Sequence, residues 1–92
     1  MIKSFKSKEA EMLFDDRSVV RFNSFERPAR RKLLYQHRAR MLKDLAVSPG
    51  NQLEALKKDR RGQHSIRIND QWRICFRWHE GDVYDVEIVD YH

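Results

Sequence analysis

Asp90, Tyr91 and His92 close the sequence, and all three side chains can orient, donate or accept protons. Upstream, Lys57 and Arg73 stand in a chain rich in the cationic groups that hold phosphate. Together these five residues cover the tasks of metal-free RNA scission. The ribose supplies its own nucleophile, the 2′-hydroxyl. A protein must then deprotonate that hydroxyl, neutralise charge building on the phosphoryl oxygens and protonate the leaving 5′-oxygen. Positioned acid–base groups typically accelerate such steps by about 10² to 10⁴-fold. Preorganised cations add roughly a few kcal/mol, and the planar fork of arginine suits two phosphate oxygens at once. No pair of histidines or cysteines has metal-ligand spacing, and neither metal nor cofactor is expected.

Residues 56–62, Leu56-Lys57-Lys58-Asp59-Arg60-Arg61-Gly62, form a cationic loop able to steer a phosphodiester. Lys58, Arg60 and Arg61 from this loop, with Arg67 and Arg77 beyond it, are the candidate RNA or ribosome contacts. A plain solvated loop has the same composition. His37 lies near an apolar stripe and is expected in the core or at its boundary. His79 sits beside a turn and is expected in solvent. His64 shares the parity of Ile66 and Ile68, which argues for packing. Cys75 has no activating pattern and is expected to be structural.

Holding such groups in place requires a folded scaffold, and 92 residues allow one domain with one modest core, residues 1–92. Hydrophobic residues make up 40% of the chain, enough to fold. A single cysteine excludes an intramolecular disulfide framework and suits a reducing cytosol. No apolar run can span a bilayer, and the first residues lack a signal-like core, so a soluble, cytoplasmic protein without membrane partners is expected. The net charge of +5 hides an asymmetry. Residues 1–79 carry all 19 Lys and Arg against nine acids, giving +10, and residues 80–92 carry five acids and no Lys or Arg, giving −5. A body this basic favours polyanions.

Residues 2–5 predict a short first strand and residues 9–14 a short helix ending near Asp15-Asp16. Arg27-Pro28 opens a long helix, on which Leu34, Met41 and Leu45 define an apolar stripe flanked by Leu33 and Leu42; Ser48-Pro49-Gly50 ends it. Thereafter the period is two. His64, Ile66 and Ile68 form one strand, Trp72, Ile74, Phe76 and Trp78 the next, and Tyr84, Val86 and Ile88 the last. Turns fall at Asn69-Asp70-Gln71 and Glu80-Gly81-Asp82. This predicts an antiparallel meander with an apolar face for the helices and a face setting Arg67, Arg73 and Arg77 against Asp85 and Glu87. Such cross-strand pairs contribute about 0.2–1 kcal/mol each and do not by themselves make a site. Arg73 stands apart because no acid neighbours it in sequence. If the last strand stayed regular, Asp90 and His92 would share the core-facing parity of Val86 and Ile88. Either the strand bends or bulges after Val89 or the terminal residues lie at the sheet edge, where parity stops mattering; the bend is preferred, because burying Asp90 unpaired is costly.

Several fragments in order resemble the HigB toxins of the RelE/ParE superfamily: Leu56-Lys57-x-Asp59-Arg60-x-Gly62-Gln63-x-Ser65-Ile66-Arg67, Asn69-x-x-Trp72-Arg73-Ile74-x-Phe76, a Gly-Asp turn and the final Asp90-Tyr91-His92. The likeness is dense over residues 52–92, includes the opening five residues and is one of helical layout over residues 8–50. It implies an α+β, RelE/ParE-like fold: an N-terminal strand and two helices packed on a curved antiparallel sheet. It also implies a type II toxin, a ribosome-dependent endoribonuclease that cuts mRNA in the decoding site. The implied partners are the ribosome, mRNA and a cognate HigA-like antitoxin with a helix-turn-helix domain, DNA being met only through that antitoxin. By position, Lys57 and Arg73 would hold the scissile phosphate, and Asp90, Tyr91 and His92 would orient and transfer protons. Many HigB toxins carry histidine where this chain has Glu54, which can act as a base or hold a neighbouring cation but cannot bring positive charge to the phosphate. The rival expectations are a gyrase inhibitor of the same fold and a basic RNA- or ribosome-binding module without chemistry.

Overall fold

The computed structural model describes residues 1–90. Helix α1 is Lys8–Phe14 and α2 is Glu26–Arg38, with a 3-10 turn, Val20–Phe25, between them. Strands β1 (Glu54–Ala55), β2 (His64–Arg67), β3 (Trp72–His79) and β4 (Asp82–Asp90) form an antiparallel sheet in the order β1-β2-β3-β4. The α+β architecture and the three-stranded meander agree with the sequence pattern. Strand β1 is an addition that two residues could not announce.

The alternation of β2 and β3 places Ile66, Ile74 and Phe76 on one face, all fully buried. Val86 and Ile88 of β4 join them, and Leu13, Ala29 and Leu33 from the helices cover the layer. Each such large apolar side chain contributes roughly 1.5–3 kcal/mol on burial. Phe22 and Phe25 enclose Trp72, with ring centroids 5.6 Å and 5.0 Å away, and so seal the end of the sheet where β3 begins. Ser7 caps α1 by accepting the Ala10 N–H. Arg30 staples α2 to the end of α1 by donating to the Leu13 carbonyl at 3.0 Å and the Arg17 carbonyl at 2.8 Å, while pairing with Glu26.

Three expectations require correction. The long helix stops at Arg38, and Leu42–Ala46 is a separate 3-10 turn. Asp44 supplies the reason: its carboxylate accepts the backbone N–H groups of Met41 and Arg40, each at 3.0 Å, offering those amides a partner outside a continuous helix. These bonds, that from Met41 first, hold the Asp44 carboxyl below its usual range. The buried face of α2 is accordingly Ala29, Lys32, Leu33 and Gln36, while Leu34 and Met41 are exposed. Next, residues 2–5 do not form a continuous ladder. Ile2 and Phe5 make separate parallel bridges to Val83 and Val86. Finally, the register slips opposite Phe76, where Asp85 adopts a positive φ of 56°. This bulge turns Val83 into the core in place of Tyr84, which lies opposite Arg77 on the other face.

Candidate active site

Register fixes which side chains share the face away from the helices. Glu54 lies opposite Ser65, Ser65 opposite Cys75, and Cys75 opposite Glu87; the adjoining row is Arg67, Arg73 and Val89. Arg73 is almost wholly buried despite its charge, at 8% exposure. Its Nε donates to the Ser65 hydroxyl at 2.8 Å, and its Nη2 donates to the Gln52 carbonyl at 2.6 Å. A guanidinium donates from separate nitrogens along fixed directions, so Nε and Nη2 meet the two acceptors at once in a single orientation. The fork therefore lies across β2 towards the start of β1, in one orientation.

The Gln52 carbonyl is itself positioned. Gln52 takes a left-handed conformation, φ 44° and ψ 56°, directly after the 3-10 turn Pro49–Asn51. Buried Asn51 donates to the Leu45 carbonyl at 2.9 Å and accepts from the Lys32 ammonium. Burial, followed by the nearby charges of Arg31 and Arg67, pushes the Lys32 pKa below its ordinary value. Helix α2 thus reaches Arg73 through Lys32, Asn51 and the adjoining peptide. Sequence reasoning missed these supports. Ser65 was detectable, because its parity matches that of Arg67; the Gln52 carbonyl left no side-chain signal.

Residues 57–62 leave the sheet between β1 and β2, and the loop is closed at its base by the Leu56 N–H on the Gln63 carbonyl at 2.9 Å. Lys57, Lys58 and Arg61 are exposed on it. Arg60 instead spans back to the sheet, 2.9 Å from Glu87 and 3.2 Å from the Gln63 side chain. Glu87 also meets Lys6 at 3.7 Å, so it pairs with Arg60 and Lys6 rather than with the expected sheet arginines. Arg67 pairs with Asp70, and Arg77 lies 3.4 Å from Asp85 as the strand pattern predicted. Glu54 is exposed on β1 opposite Ser65, the residue that holds Arg73.

Asp90 pairs across the ladder with Trp72, so β4 keeps its register as far as Asp90, with no bulge between Val89 and Asp90. The difficulty of burial is met differently: Asp90 is exposed, and its Oδ2 accepts from the Gln71 side chain at 2.9 Å. Its ladder position puts it on the face of Trp72, one residue beyond the row of Arg73. Tyr91 and His92 lie outside the described residues. Arg73 and Glu54 therefore share one face, and Asp90 stands at the sheet's end on the opposite face, that of Trp72.

The other candidate groups have structural surroundings. His37 accepts the Ile2 N–H at 3.2 Å, and its ring lies 5.2 Å from that of Phe14. His64 stacks on Phe76, and burial lowers its pKa. Burial also pushes the Cys75 thiol up, away from the reactive thiolate. His79 is exposed beside Glu80.

A short helical layer on one face of such a sheet is the arrangement of RelE-like toxins. The YoeB chain in a heterotetrameric YoeB–YefM toxin–antitoxin complex from Staphylococcus aureus superimposes with a TM-score of 0.57 at 18% identity, covering 100% of this chain and 98% of that one. A second YoeB–YefM complex from the same organism gives 0.52 at 17% identity, with the same coverage. At that identity the likeness concerns the fold. Sequence carries the family: residues 3–92 match the RelE-like toxin of the type II toxin–antitoxin system HigB, and the chain belongs to that family. It is 36% identical over 83 residues to Toxin HigB-1 of Vibrio cholerae serotype O1, strain ATCC 39315 / El Tor Inaba N16961, spanning 88% of this chain and 87% of that protein. Over 98 residues it is 34% identical to Endoribonuclease HigB of Proteus vulgaris, covering both chains completely.

Proposed function

We propose that this type II toxin is a ribosome-dependent endoribonuclease that cuts mRNA in the decoding site and so stops translation in the cytoplasm. The observation that carries the reading is the fixed guanidinium of Arg73, held between Ser65 and Gln52 on a face bordered by a cationic loop. A cation whose orientation is set before substrate arrives stabilises developing phosphoryl charge without reorganising. In this mechanism Lys57 shares the scissile phosphate with Arg73, and Lys58, Arg61, Arg67 and Arg77 engage the surrounding RNA. Arg60, bound to Glu87, supports the loop as well as adding positive charge. Asp90, Tyr91 and His92 orient and transfer the protons of the 2′-hydroxyl and the leaving 5′-oxygen. Glu54, exposed opposite Ser65, adjusts the local charge near Arg73 and acts as an auxiliary base. The partner that silences the toxin is a HigA-like antitoxin carrying a helix-turn-helix domain, through which alone the toxin meets DNA. The similarity to a protein named as an endoribonuclease supports this activity.

Mapping mRNA ends after induction tests the proposal. Wild type should leave 2′,3′-cyclic or 3′-phosphate ends and 5′-hydroxyls on ribosome-bound messages, and Arg73→Ala should leave messages whole. Intact mRNA in arrested wild-type cells would overturn the activity.

A further inference from the structure

At the end of the charged face away from Asp90, a pocket of about 380 Å³ opens between the β3–β4 hairpin and the basic loop. Gly62, Arg77, Trp78, His79, Tyr84 and Asp85 line it. Tyr84 and His79 lie on the face of Arg77, while Trp78 packs on the opposite face against the core. The bulge at Asp85 makes this pocket, since it puts Tyr84 opposite Arg77 instead of in the core. The Tyr84 ring meets the edge of the His79 imidazole, with centroids 6.3 Å apart. Arg77 lies 3.4 Å from Asp85, and both side chains are about half exposed, 45% and 49%. Gly62 has a φ of +91°, and a Cβ there would come within 2.8 Å of Arg77 Nη1, so the loop lies directly against the guanidinium.

Aromatic rings beside a solvent-facing guanidinium are the chemistry that receives a nucleotide. The rings stack on a base, and the cation takes its phosphate. The pocket has the volume of a small-ligand site. It shares a face with Arg73, and Arg77 lies four residues further along β3, about 13 Å at the usual strand rise. That separation excludes the scissile nucleotide itself and fits a neighbour along the same strand. We propose that this pocket is a subsite for an unstacked base of the bound RNA flanking the cut, held against Tyr84 and His79 with its phosphate on Arg77. This rests on the endoribonuclease reading and extends it by naming where the flanking RNA is gripped. Stacking tolerates any base, so the subsite adds affinity without demanding a sequence.

The test uses the full chain and a fluorescein-labelled 2′-O-methyl hexaribonucleotide, which lacks the attacking hydroxyl. Wild type and Tyr84→Phe should bind alike by anisotropy. Tyr84→Ala should bind about tenfold more weakly, the loss of one stacked base, with an unchanged unfolding midpoint or one corrected for by the folded fraction. Equal affinities for Tyr84→Ala and wild type, or no binding by wild type, would overturn the subsite. Mapping of mRNA ends separates the two claims. Cut messages with equal affinities would refute the pocket alone, while uncut messages with a tenfold difference would refute the activity and keep the pocket.

Discussion

Replacing Ser65 with alanine removes one oxygen, the acceptor 2.8 Å from Arg73 Nε. Ser65 is fully buried and Arg73 is 8% exposed, so water cannot readily take the place of the hydroxyl. A hydrogen bond from a charged donor contributes about 1.5–3 kcal/mol, and the Ser65→Ala variant should lose an amount in that range. Urea unfolding should show a lower midpoint at an unchanged slope, the signature of lost stability without a change in compactness. The variant should still fold, because a marginal domain has roughly 5–15 kcal/mol in hand. Cleavage of ribosome-bound mRNA by the folded fraction should fall further, by about 10²-fold, since a displacement on the order of 1 Å is enough for that. Arg73→Lys should resemble it, keeping the charge but losing the two-directional fork that reaches Ser65 and Gln52. A Ser65→Ala protein with the stability and cleavage rate of wild type would refute the claim that this hydroxyl orients Arg73.

Leu33→Ala, in the fully buried centre of α2, should cost about 2–5 kcal/mol, whereas Leu34→Ala, on an exposed position, should change stability by less than about 0.5 kcal/mol; equal losses in thermal unfolding would place the helix face wrongly. Burial depresses the His64 pKa from 6.5. The unfolded chain therefore takes up a proton first, and stability should decline as pH falls through about 6.5 towards the lower folded value, levelling off beneath it. His64→Phe should flatten that decline in pH-dependent urea titrations, and an unaltered slope would exclude this residue as its source. Gly62→Ala should destabilise by about 1–2 kcal/mol, because φ is +91° and the new methyl meets Arg77; a variant as stable as wild type would show that the loop yields.

Much of this protein is legible along the chain, because a period of two over Ile66, Ile74, Phe76 and Ile88 has few ways to be satisfied other than one buried sheet face. The turns were legible for a similar reason. Asn69 supplies its own acceptor to the Gln71 and Trp72 amides, and Glu80 and Gly81 both take positive φ. Charge asymmetry and the order of Lys57, Arg73 and Asp90 are legible as candidates for phosphate chemistry from residue type alone. Tertiary structure decided where the second helix stops, because Asp44 competes for backbone amides that a hydrophobic stripe cannot register. It decided that Val83, not Tyr84, enters the core, since a single positive φ at Asp85 inverts the parity of every residue before it on that strand. It also decided how Arg73 is held. Ser65 and the Gln52 carbonyl converge on one guanidinium only when strands distant in sequence are paired, and a backbone oxygen has no letter of its own in a sequence.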